Sequence, residues 1–304
     1  MEFCVCTGDP RNTGAPSKQQ VVSTAVMLIA VFIKADDGTK NVIDKEDTLN
    51  EAYFAEKINH EDPTKRWYPL GRFVNASDVR ADAATESYDD GSSGLTQQGV
   101  RTYTGKLLNV SPAYLGVLES FKCTPFGFYL VNVCGAIDGS LKKDGSALKP
   151  VEVNTRSFNP QLVKGLPTES GGIMLSFEFA QIEKDKNLRS ISEDEIEAEV
   201  LDLEGLIDLD AAITGVTTTE FAAALTVNIT GFKNPEKVKG WDVASFKLKN
   251  VTTNSDIVIT STTEAPEGTY GFVYPAQTSN DVLRLTVDGA EKPGFYIEEL
   301  ITIP

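Results

Sequence analysis

The stretch GIMLSFEFAQI (172–182) places its large apolar residues at a period of two. Ile173, Leu175, Phe177 and Phe179 fall on one side, and Met174, Ser176, Glu178 and Ala180 on the other. Successive side chains point to opposite faces only in an extended strand, so this pattern predicts a strand with one buried face. The same period recurs in GVRTYTGKLLNV (99–110). After residue 213 the composition shifts toward Thr, Val, Asn and Gly, and short strand signals follow: ALTVNITGF, VASFKLKNV, DIVITSTTE, GTYGFVYPA, VLRLTVDG and YIEELITIP. Turn signals separate them (NPEKVKG, TTNSD, APEG, TSND, GAEKPG). The chain is therefore expected to be mainly β. The segment 213–304 has the strand count of an immunoglobulin-like β-sandwich, although it contains no cysteine and so lacks the Cys…Trp…Cys spacing.

The first two thirds are less regular. Residues 1–20 read as an extended arm. The run VVSTAVMLIAVFI (21–33) is apolar over 13 residues, where a membrane span needs about 20. No basic segment precedes it as in a signal peptide. It is expected to be a buried strand that turns at ADDGTKN, in a soluble chain made in a cytoplasm. Residues 43–66 show little periodicity. RWYPLGRFVNASDVRAD carries Trp67, Tyr68, Leu70, Phe73 and Val74, a strand pattern broken by Pro69 and Gly71. FGFYLVNVCG is a further strand.

Two helices are expected. In SPAYLGVLESFK (111–122), Ser111 is a good N-cap and Pro112 sits at the first helical position, where its missing N–H costs nothing. Leu115, Val117, Leu118 and Phe121 would form its apolar face. Residues 192–211 open with a Ser192/Glu195 capping box, and Ile196, Val200 and Leu203 share a helical face.

The chain has 304 residues, 41% hydrophobic and 24% charged, with a net charge of −16. That excess argues against ordinary nucleic-acid recognition, which needs clustered Lys and Arg. It is unevenly placed: residues 193–210 hold nine acids and no base, 215–304 a net −4, and the remainder about −3. Cys4, Cys6, Cys123 and Cys134 are too few for a disulfide framework, and the C-x-C pair has no second half of a zinc site near it. His60 is the only histidine. No nucleophile elbow, phosphate-cradling loop or dinucleotide fingerprint occurs. DLEGLIDLD lacks the order of a calcium loop. The expectation is a chain without cofactor, metal or catalysis.

Between the strand patterns lies RADAATESYDDGSSGLTQQGVRTYTGKL (80–107), whose first half is polar, acidic and glycine-broken. It is long for a connection inside a sheet. A flexible surface loop is one reading, and a segment waiting for a neighbouring subunit is the other.

KRWYPL, QQGVRTYTG, PAYLG and FGFYLV, in this order over residues 1–210, resemble the major tail tube protein of tailed bacteriophages, particularly phages of Bacteroidetes-like hosts. The C-terminal sandwich resembles the immunoglobulin-like decorations appended to such proteins. The resemblance implies a tail-tube β-sandwich with a flanking helix (1–192), an acidic helix or linker (193–212) and an outward immunoglobulin-like domain (213–304). It implies hexameric rings stacked head to tail into a tube in the virion tail, assembled in the host cytoplasm. The implied partners are copies of the chain, a tape-measure protein, terminator and baseplate proteins, and genomic DNA in transit. A lumen without positive charge lets DNA slide. With only about −3 in residues 1–192, any lumenal acidity must come from sorting of charge between faces, and the −9 segment belongs at the junction of tube and decoration. The implied subunit-contact residues are Asp82, Glu86, Tyr88, Asp89, Asp90, Arg101 and Tyr103. Alternatives are a capsid decoration or tube-like baseplate protein, and an adhesin or carbohydrate-binding module.

Overall fold

The structure is a computed structural model and describes residues 23–304 apart from 109, 167, 169, 228–234 and 290. The arm expected over residues 1–20, with Cys4 and Cys6, lies outside the described residues.

The first unit contains strands β1 (Met27–Phe32), β2 (Ile43–Asp44), β3 (Trp67–Arg80), β4 (Ala84–Ser87), β5 (Ser93–Gln97), β6 (Arg101–Leu108), β7 (Phe126–Val131), β8 (Ile137–Leu141), β9 (Ala147–Lys149), β10 (Val151–Glu152), β11 (Asn159–Val163), β12 (Gly172–Glu178) and β13 (Leu188–Ile191). Its helices are α1 (Glu51–Ile58) and α2 (Ala113–Ser120). The main sheet runs β11-β12-β6-β3-β1-β7-β8-β9-β2, with β10 on β7 and β13 on β8.

The sheet closes on itself through β10. One edge of this short strand pairs with β7 (Val151 opposite Phe128). Just beyond it, Val153 bridges Phe179, while the Asn154 N–H donates to the Glu178 carbonyl and the Ala180 N–H to the Glu152 carbonyl, each at 2.9 Å. The circuit β12-β6-β3-β1-β7-β10 is thus a six-stranded barrel. All six strands send side chains inward: Phe177, Tyr103, Phe73, Leu28, Phe128 and Val151 belong to one buried cluster. β3 pairs with β1 through Arg72 and with β6 from Phe73 onward, and a bulge between Val74 and Ser77 interrupts the β6 ladder, with Asn75 at a left-handed φ of 53°. Gly105 faces inward, and a Cβ on it would lie 2.9 Å from the Phe73 ring. Its lack of a side chain makes room for that ring.

β1 and β7 are buried on both faces, which is why their sequences are continuously apolar. Leu28, Ala30, Phe126, Phe128 and Leu130 enter the barrel core. Met27, Ile29, Val31, Tyr129 and Val131 enter a second core on the outside, closed by α1 through Phe54 and Ile58 and by Trp67 and Val200. α1 falls in the stretch where the sequence shows little periodicity. It is short, capped by Asn50 accepting from the Tyr53 N–H at 2.9 Å, and only Phe54 and Ile58 are fully buried. α2 lies within the expected helix. Ser111 Oγ accepts from the Ala113 N–H at 3.3 Å, and Leu118 and Phe121 are buried, but Val117 is exposed rather than on the packed face.

The expected helix over 192–211 is not an α-helix. Its capping box does form at Ser192 and Glu195, but it opens a single 3-10 turn (Glu193–Glu195). Another follows at Val200–Asp202. Between them EIEAEV alternates, with Glu195, Glu197 and Glu199 exposed and Ile196, Ala198 and Val200 packed inward. Extended backbone buries Val200, packs Ile196 and Ala198 against the same core and keeps like charges on the wet side, whereas a helix would crowd the carboxylates around its turns. The segment is a strap across the second core.

β14 (Ile207–Thr214) begins inside the expected helix and opens the second unit. β15 (Glu220–Val227), β16 (Phe246–Asn250), β17 (Ser255–Ile257), β18 (Ser261–Glu264), β19 (Thr269–Val273), β20 (Val282–Val287), β21 (Phe295–Tyr296) and β22 (Glu298–Thr302) complete it. One layer runs β18-β19-β15-β14-β21 and the other β17-β16-β20-β22. They enclose a core including Phe221, Leu225, Phe246, Tyr270, Phe272 and Leu285. Trp241 is half-buried at its border, packed edge-on to Phe295 at 5.3 Å.

Candidate assembly site

The polar first half of the stretch 80–107, residues 81–99, is neither a loop nor part of the barrel, whereas 101–107 belong to β6. β3 and β6 leave the barrel together, and the chain between them folds back as β4 and β5, a separate two-stranded sheet. Ser92 N–H and Oγ both donate to Asp90 Oδ1, at 2.9 and 2.6 Å, and Gly91 takes a φ of 81°, so the tip is a tight turn. The tip accounts for DDGSS in a segment without apolar alternation. At eight residues per limb and roughly 3.3 Å each, the arm reaches about 25 Å from the barrel. Asp82, Glu86, Tyr88, Asp89 and Asp90 are all exposed on it. No Lys or Arg occurs between residues 81 and 100, so the arm is purely acidic. Tyr88 and Leu95 add two exposed apolar side chains.

The arm is anchored by charge at its base. Arg80, the last residue of β3, forms a bidentate pair with Asp185 (Nε to Oδ2 2.8 Å, Nη2 to Oδ1 2.6 Å) and donates from Nη1 to the Gly99 carbonyl at 2.6 Å. Arg101, the first residue of β6, forms a bidentate pair with Asp78 and lies 4.9 Å above the Phe179 ring. Asp185 is 4.0 Å from Arg101 as well, so one carboxylate links both cations. Those hydrogen bonds from Arg80 hold the Asp185 carboxyl below the usual carboxylate range, against the cost of its partial burial. Gly99 lies where the two limbs meet, and a Cβ there would fall 1.8 Å from the Ala81 carbonyl oxygen. A cleft of about 230 Å³ opens beside this base, lined by Arg80, Gln97, Arg101, Phe179 and Asp185.

A second ionic cluster lies behind the first. The buried Glu183 accepts from Ser140 Oγ at 2.6 Å and from Lys149 Nζ at 2.7 Å. Burial opposes the charge on Lys149, but the hydrogen bond and the charge of Glu183 outweigh it and its pKa rises. Asp138 accepts from Ser190 Oγ, and burial pushes its carboxyl upward.

Of the seven residues singled out in the sequence, five share the exposed arm and Arg101 anchors it. Tyr103 belongs elsewhere. Its side chain is fully buried, stacks on Phe177 at 5.3 Å and donates to the Ala25 carbonyl at 3.0 Å, leaving no surface for a neighbour. Its inward register follows from strict alternation along β6, two residues after Arg101. Asp78, Arg80 and Asp185 were not anticipated. Asp78 and Arg80 lie one limb away from Arg101, but Asp185 is distant in sequence and carries no local signal.

Among the described residues no group of His, Cys, Asp and Glu is arranged to hold a metal ion, and no helix is long and apolar enough to cross a membrane. Neither a family model nor a curated protein matches the chain.

Proposed function

We propose that this chain is a self-assembling structural subunit of a bacteriophage tail, a tail tube protein carrying an outward decoration domain. One observation carries the reading: an acidic two-stranded arm stands off a closed barrel, held by two bidentate ion pairs, and none of its residues is buried among the described residues. Among the described residues neither outer edge of the arm pairs with another strand, an arrangement that invites another chain. An arm projecting from one place and received at another makes a heterologous contact, which closes into rings or extends into tubes. The barrel with α2 against it fits the tube domain. In the second unit the first, second, sixth and fifth strands (β14, β15, β19, β18) lie in one layer and β16, β20 and β22 in the other, which supports reading it as an immunoglobulin-like sandwich. On this reading the partners are copies of the chain, the tape-measure protein, terminator and baseplate proteins, and DNA passing without specific contacts.

Negative-stain microscopy of the purified chain tests this. Rings with a central channel, or tubes, are expected, and replacing residues 84–97 by a two-residue turn is expected to abolish them while circular dichroism stays unchanged. A parent chain that remains monomeric at every concentration and salt condition sinks the proposal and favours a binding module.

A further inference from the structure

We propose that a lysine-lined groove on the first unit is the seat for the acidic arm of a second copy of this chain. The inference rests on the tail-subunit reading and names the surface that the arm meets. The groove has a volume of about 600 Å³ and is lined by Lys34, Lys40, Lys142, Lys143 and Lys149 together with Ile182. Five lysines on one concave surface stand out in a chain of net charge −16.

Three acids also line the groove, and each has an occupation of its own. Glu152 and Glu183 hold Lys149, at 3.3 and 2.7 Å. Asp144 accepts from the N–H and Oγ of Ser146 within its turn. Lys34, Lys40, Lys142 and Lys143 form no salt bridge among the described residues. Ile182 is 71% exposed beside them.

The arm is the complement of this surface. Asp82, Glu86, Asp89 and Asp90 give it four carboxylates and no cation, and Leu95 (69% exposed) offers an apolar contact that Ile182 can meet. Complementary potentials fix register and speed encounter, and exposed charges weaken with salt. The groove is built from β8, β9 and neighbouring turns of the first unit and not from the second unit, so the contact is available to the first unit alone.

The test uses the full chain in sedimentation velocity over a concentration series. One variant reverses the groove (Lys34→Glu, Lys40→Glu, Lys142→Glu, Lys143→Glu), one reverses the arm (Asp82→Lys, Glu86→Lys, Asp89→Lys, Asp90→Lys), and a third combines both. Each reversal is expected to raise the concentration at which assemblies form by about tenfold or more, as the summed loss of several surface pairs implies. The combined variant is expected to recover most of that loss. A Lys→Gln groove set, checked by circular dichroism, stands in if the reversed groove does not fold. Three results overturn the groove assignment while leaving the tail reading intact. In the first, assembly is lost on arm deletion but unchanged on groove reversal. In the second, the combined variant is no better than either parent set. In the third, the groove binds duplex DNA in a way that reversal abolishes, with assembly unaffected. A parent chain that never assembles overturns both.

Discussion

At the scale of residues, the arm depends on Arg101. Its side chain is 15% exposed and that of its partner Asp78 only 7%. Removing one member of such a pair leaves the other charge buried and alone, a penalty of about 3 kcal/mol. Arg101→Gln is therefore expected to lose about that much stability in urea unfolding, with part of the loss returned by adding Asp78→Asn. A loss below about 1 kcal/mol would place the pair in effectively open solvent. Asp185 supplies a pH dependence of known sign. Its folded-state pKa is lowered, so its contribution is present above the unfolded carboxylate value, about pH 4, and disappears as pH falls through the folded value. The stability difference between the parent and Asp185→Asn should be greatest near neutrality and should vanish in acid. An unchanged difference at pH 3 and pH 7 would show that Arg80 does not hold this carboxylate charged.

At the scale of elements, the strap over 193–206 is the instructive case. Val200 is 2% exposed and closes the second core. Val200→Asp is expected to cost about 3 kcal/mol or more by burying an unpaired carboxylate, whereas Glu199→Gln one position earlier should be nearly silent. If the two substitutions had equal effects on thermal unfolding, the strap would not be packed. The same residues explain why a helix was expected there. Ile196, Val200 and Leu203 fit a helical face, but Ile196, Ala198 and Val200 fit a period of two equally well, and the intervening glutamates decide between them by repulsion. Where only one period fitted, the sequence was readable: β12 buries Ile173, Leu175 and Phe177 as its alternation predicts. α1 was not, because two buried residues make no visible stripe. The arm's acids and its Arg101 anchor could be read from the chain, but its folding as a hairpin could not, since β4 and β5 have no buried face to alternate. The lysine groove was invisible for another reason. Lys34, Lys142 and Lys149 come together only once β1, β8 and β9 share a sheet.

At the scale of the whole molecule, the two units meet at a small contact. Arg66 lies 4.2 Å above the Tyr296 ring, and its guanidinium donates twice to the His60 carbonyl within its own unit. Asn59 packs beside Gly289. The boundary falls after Leu206, because the Ile207 N–H already donates to the Gly294 carbonyl at 2.8 Å and Leu209 enters the core of the second unit. A chain ending at residue 206 is expected to fold, losing the Arg66–Tyr296 stacking and the Asn59–Gly289 contact, about 1 kcal/mol and a few degrees of thermal midpoint. A chain ending at 212 keeps most of β14 without its partners, an unpaired strand with an exposed Leu209, and should aggregate more readily. Both arm and groove belong to the first unit, so the chain ending at 206 should form the same rings or tubes as the parent. If it stays folded but monomeric while the parent assembles, the second unit contributes to the contact and cannot be a mere outward decoration.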